Sequence, residues 1–196
     1  EDPDGRVSSL NVDEEIQNLQ EAVQGLQEKG MQVTVLTGRS ELSMGLQHKL
    51  ISQGFLIEKR NSSIDSIVSL LKGKHYHVLH FVGHGRFSTR NNKALLSLES
   101  EDGYLAETTD DTIIERLRDL DFESLPKLIF LSTCQSANRQ NVTMMQDRQL
   151  FTGLAYRLVQ LGIPAVVAMQ DDVSIISSRI FAKEFYGTLA VDGIID

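Results

Sequence analysis

One histidine and the only cysteine each stand at the end of an apolar run. His84 follows the run ending His80-Phe81-Val82-Gly83, and Cys134 follows Leu128-Ile129-Phe130-Leu131-Ser132-Thr133, fifty positions further along. A thiolate is a strong nucleophile, but a cysteine needs a neighbouring base or a favourable field to supply it. If the two runs are adjacent parallel strands, both side chains arrive at carboxyl ends, where open α/β sheets place their sites. Gly83 and Gly85 flank His84 and let the backbone approach a ligand closely. Ser132, Thr133, Ser136 and Ala137 are small and leave the Cys134 sulfur accessible. Backbone N–H groups at Cys134 and Gly85 could then hold a developing oxyanion. The plain alternatives are a buried core thiol, the commoner fate of a cysteine taken alone, and a surface histidine in a turn.

Two other chemistries fit less well. Gly83-His84-Gly85 follows a strand, but a dinucleotide loop needs glycine at 88, where Ser88 stands. His75, His77, His80 and His84 lie close in sequence. On a strand, however, 75 and 77 share one face and 80 and 84 the other. No carboxylate stands at a matching position, so no metal site is expected. His75 and His77 are expected at the exposed start of the strand, and His80 as a packed or hydrogen-bonded histidine.

The elements that must position this pair alternate along the chain. Asn11 can cap a helix whose first turn holds Asp13, Glu14 and Glu15 and whose apolar face is Ile16, Leu19, Val23 and Leu26. Gly30 ends it, and a short strand is expected over Met31 to Leu36. Ser40 is expected to open a second helix with Leu42, Leu46 and Leu50, followed by a strand at Phe55-Leu56-Ile57. Ser62 or Ser63 caps a third helix. Tyr76 to Val82 reads as a strand covered on both faces. Glu101-Asp102-Gly103 between two β-prone runs signals a hairpin. Thr109 caps a further helix, and Lys127 to Ser132 is a buried strand. Asn138 to Gln149 reads as a mobile loop, then a helix from about Leu150 to Leu161, a strand from Ile163 to Met169, and a last helix that Ser174 could cap. Strands alternating with helices predict a mainly parallel α/β sheet with helices on both faces.

The chain has 196 residues, which suits one domain. Its net charge of −8 argues against a nucleic-acid surface on this domain. No apolar run approaches the roughly 20 residues a membrane span needs, so no membrane association is expected. A single cysteine permits no internal disulfide and fits a reducing, cytoplasmic setting. Both ends read as cuts through a longer protein.

In their order, these motifs resemble the CHAT domain, a bacterial branch of the caspase and separase clan of cysteine peptidases. Ser9-Leu10-Asn11-Val12-Asp13-Glu14-Glu15 is similar to the family's approach to its first helix. His80 to Gly85 resembles its histidine motif, and Leu131-Ser132-Thr133-Cys134-Gln135-Ser136-Ala137 its cysteine motif. Gly153-Leu154-Ala155, Gly162 to Gln170 and Phe185-Tyr186 resemble the family's later elements. Caspases likewise carry the histidine about 50 residues upstream of the cysteine.

The resemblance implies a caspase-like three-layer sandwich over residues 1–196, with Cys134 as nucleophile and His84 as proton-transfer partner. It implies a regulated endopeptidase acting on a protein substrate in bacterial signalling or defence, with no cofactor and with sensor or repeat segments fused elsewhere. Residues from about Arg39 to Arg60 read as a helix-strand insertion. Ile175 and Ile176 stand where many relatives carry an acid, and Gln170, Asp171 and Asp172, slightly earlier, are the candidates for the pocket that takes the residue before the cut. The competing expectation is a catalytically silent caspase-like module that only binds partners.

Overall fold

A computed structural model describes residues 11–27, 29–39, 42–88, 90–133, 144–168 and 175–192. In chain order the elements are α1 (Val12–Gln27), β1 (Thr34–Leu36), α2 (Met44–Ser52), β2 (Leu56–Glu58), α3 (Ile64–Gly73), β3 (Val78–Gly83), β4 (Gly85–Ser88), β5 (Lys93–Glu99), β6 (Leu105–Thr109), α4 (Asp110–Arg118), β7 (Leu128–Thr133), α5 (Met144–Leu161), β8 (Ala165–Ala168) and α6 (Ile175–Asp192). A 3-10 turn, Phe122–Ser124, precedes β7.

The described residues form two compact units, one lying within 63–168 and the other made of those within 11–62 together with 175–192. In the second unit α1 packs on α6, and α2 crosses between the parallel strands β1 and β2. Asn11 caps α1 as expected. Its Oδ1 accepts from the Glu14 N–H, and its Nδ2 donates to Glu14 Oε2, a reciprocal pair that occupies an orphan donor of the first turn. The cap of α2 is Ser43 rather than Ser40, because Leu42 buries itself ahead of the helix and the turn begins after it. Ser43 Oγ accepts from Leu46 N–H, and Ser43 N–H reaches Asp13 of α1 at 3.1 Å. The helix-strand content expected over residues 39–60 is present as α2 and β2.

The first unit holds the histidine. Its parallel sheet has the order β3-β7-β8, and an antiparallel sheet has the order β4-β5-β6. Ile129 and Leu131 of β7 join Leu79 and Phe81 of β3 in one core face, against α3, α4, α5 and the inward face of β5, Ala94, Leu96 and Leu98. Leu128 and Phe130 on the opposite face of β7 are also buried, which is why this strand reads as a continuous apolar run. Ser63 caps α3 and Thr109 caps α4, each through its side-chain oxygen on the N–H three residues on. The expected hairpin closes at Ser100–Tyr104, where Gly103 takes a φ of +76° that favours glycine.

Two further findings differ from the sequence reading. Residues 144–149, expected in a mobile loop, form the first turns of α5: Met144-Met145-Gln146-Asp147-Arg148-Gln149 contains no breaker and is mostly good helix formers. Residues 138–143 of that loop lie outside the described residues. β4 was not expected at all, although Asn91-Asn92 before Lys93 is a turn signal, and Asn92 takes a φ of +52° there.

Candidate active site

The parallel register of β3 and β7 runs from Val78↔Leu128 to Gly83↔Thr133, so the two strands end level. His84 is the residue after Gly83, and Cys134 is the residue after Thr133. Cys134 itself lies outside the described residues, as do Gln170, Asp171 and Asp172, which come after β8 in sequence.

His84 is half-buried and sits at the single-residue junction where the chain leaves the parallel sheet and enters the antiparallel one. Its backbone is held from both sides. Gly83 ends the β3 ladder, and the Ser97 N–H donates to the His84 carbonyl at 2.9 Å. That bond also sets the phase of the β4–β5 ladder. With Gly85 opposite Leu96 and Arg86 opposite Leu95, the bonded pairs are His84/Ser97, Arg86/Leu95 and Ser88/Lys93. Gly85 and Phe87 fall between them, so their N–H and C=O groups turn away from β5.

Gly83 has a second reason to be glycine. A Cβ there would lie 2.6 Å from Cζ of the Phe81 ring, which occupies the space a side chain would need. Phe81 and Gly83 share a strand face, and the ring packs against the core cluster. Alternation of apolar residues does not reveal this close fit.

His80 belongs to the other face of β3. Its ring stacks on Phe130, its register partner on β7, at 4.3 Å between centroids, and burial pushes its pKa down to about 3. It is the packed histidine expected, neutral across the physiological range. His75 and His77 are exposed ahead of β3, with His75 Nδ1 3.2 Å from the Glu123 carbonyl oxygen.

Charged groups frame the antiparallel sheet. On its outer face Arg86 of β4 pairs with Glu107 of β6, and this bond holds the Glu107 carboxyl below its ordinary range. Arg157 of α5 bridges Asp110 at 2.8 Å and Asp111 at 2.6 Å, and Lys93 of β5 pairs with Asp111. No sequence signal joins Asp110 to Arg157, since only the packing of α5 on α4 brings them together.

Parallel strands flanked by helices, with a histidine at a strand's carboxyl end, are the α/β class of caspase-like domains. Residues 13–196 match the family model of the CHAT domain, and the chain belongs to the CHAT domain family. Among curated proteins and among solved structures no match was found. Within the described residues no helix is long and apolar enough to cross a membrane.

Proposed function

We propose that the domain is a cysteine endopeptidase that cuts a protein substrate with Cys134 and His84. The observation that carries this is the level end of β3 and β7, after which the next residue of one strand is the histidine and of the other the cysteine. In the reaction the Cys134 thiolate attacks the scissile carbonyl carbon, and the carbonyl oxygen takes up the negative charge. The N–H groups of Gly85 and Cys134 stabilise that oxyanion, and the β4–β5 ladder leaves the Gly85 N–H unused. The protonated His84 imidazole gives its proton to the leaving amine as the C–N bond breaks, which leaves a thioester. A water molecule, deprotonated by His84, then attacks the thioester, releasing the carboxylic acid and regenerating the Cys134 thiolate and the protonated His84.

Gln170, Asp171 and Asp172 complete the proposal as the rim of the pocket for the residue before the cut. A carboxylate there would favour a basic residue, because a cation taken out of water needs a paired anion. Family membership and the single cysteine support the remaining parts: a reducing cytoplasmic setting, a role in bacterial signalling or defence, and sensor segments fused to the domain.

A positional peptide library tests the activity. The expected result is cleavage after Arg or Lys that drops by several orders of magnitude in Cys134→Ala, since covalent catalysis has no substitute in the site. Equal turnover by Cys134→Ala would overturn the peptidase assignment. Cleavage after Leu or Met, unchanged in an Asp171→Ala, Asp172→Ala double variant, would overturn the acidic pocket alone.

A further inference from the structure

The outer edge of β4 starts beside His84 and carries backbone groups that no described strand uses. Because His84/Ser97 is a bonded pair, Gly85 and Phe87 present both N–H and C=O away from β5. Their spacing of two residues, about 6.6 to 6.8 Å along a strand, matches the repeat of one side of an extended peptide. The edge is short, four residues, and it begins at the group assigned to the oxyanion. A polypeptide whose carbonyl oxygen sits on the Gly85 N–H is therefore already aligned with the next outward groups of β4.

We infer that the substrate segment after the cut docks as an added parallel strand on the outer edge of β4, which no described strand occupies, bonded through the backbone of Gly85 and Phe87. This rests on the peptidase proposal and extends it to the substrate's conformation. A segment whose scissile carbonyl oxygen sits on the Gly85 N–H carries its residues beyond the cut along β4 to Phe87 when it runs parallel to β4, whereas an antiparallel segment would bring the residues before the cut there. Gln170 to Asp172, in the segment after β8, are given to the residue before the cut, and the β4 edge is left for the residues beyond it. Strand addition draws its affinity from main-chain bonds, so this contact demands an extended backbone and little side-chain identity. Sites presented on an unfolded or loosely held segment would be cut, and sites within helices would be spared.

The test uses the whole chain and the shortest peptide that the positional library shows to be cut. Extending that peptide by four residues after the cut should raise kcat/KM at least roughly tenfold, as two or three net backbone hydrogen bonds would give. N-methylation then scans the added residues one at a time. Methyl groups on alternate residues, those whose N–H faces β4, should cancel the gain, and those on the residues between should leave it. A gain that ignores this alternation, a gain found only on extension ahead of the cut, or no gain at all overturns the strand docking while leaving the peptidase assignment standing. If no peptide of any length is cut, the peptidase assignment fails and the docking fails with it.

Discussion

At the scale of single residues, the two histidines of the β3 motif are set apart by environment. His84 stands at a strand end, half-buried, where its backbone is tied to Ser97. His80, four residues earlier, is stacked on Phe130 and kept neutral by burial, with a pKa of about 3 against an ordinary 6.5. The lowered value has a consequence for stability. Between pH 6.5 and 3 the unfolded chain binds a proton at His80 that the folded chain refuses. The stabilisation is therefore complete above pH 6.5 and is lost as the pH falls toward 3, by up to about 1.4 kcal/mol per pH unit. Urea unfolding at about pH 7 and about pH 5 should show a drop in stability for the natural chain that is smaller in His80→Gln. Equal drops would show that His80 titrates normally in the fold. The sequence read His80 as a packed or hydrogen-bonded histidine, and its stack on Phe130 is that packing. The sequence did not reveal that Phe81 fills the space beside Gly83, a contact set by the direction of one ring.

At the scale of elements, caps and apolar stripes were legible wherever the cause is local. Asn11, Ser63 and Thr109 act where their side chains can reach an N–H three residues on. Ser40 was displaced as a cap by Ser43 because the burial of Leu42, a tertiary effect, sets the start of α2. The link between α4 and α5 is non-local too. Asp110 is buried at the start of α4, and Arg157 from α5 supplies its cation. Removing the cation leaves a buried carboxylate without its charge partner, so Arg157→Met should cost about 2 kcal/mol in chemical denaturation. Arg116, whose pair with Asp65 is exposed on both sides, serves as the comparison. Arg116→Met should change stability by less than about 0.5 kcal/mol. Equal losses in the two variants would mean that burial of Asp110 does not set the cost.

At the scale of the molecule, the α/β class was legible because strands buried on both faces alternate with amphipathic helices, and that pattern admits few architectures. The split into two compact units was not legible, since it depends on which helices share a core rather than on any break in composition. The candidate site was legible as two motif ends, and the structure adds the level register of their strands and the outward turn of Gly85. The central claim is that Cys134 is a nucleophile served by His84. Its most direct test is the rate of alkylation of this single thiol by iodoacetamide, followed by mass in the natural chain and in His84→Ala, with circular dichroism confirming that both are folded. The account predicts rapid labelling at neutral pH in the natural chain and labelling at least roughly tenfold slower in His84→Ala, because the imidazole no longer favours the thiolate. Equal rates in the two proteins, or a thiol that reacts only after unfolding, would contradict it.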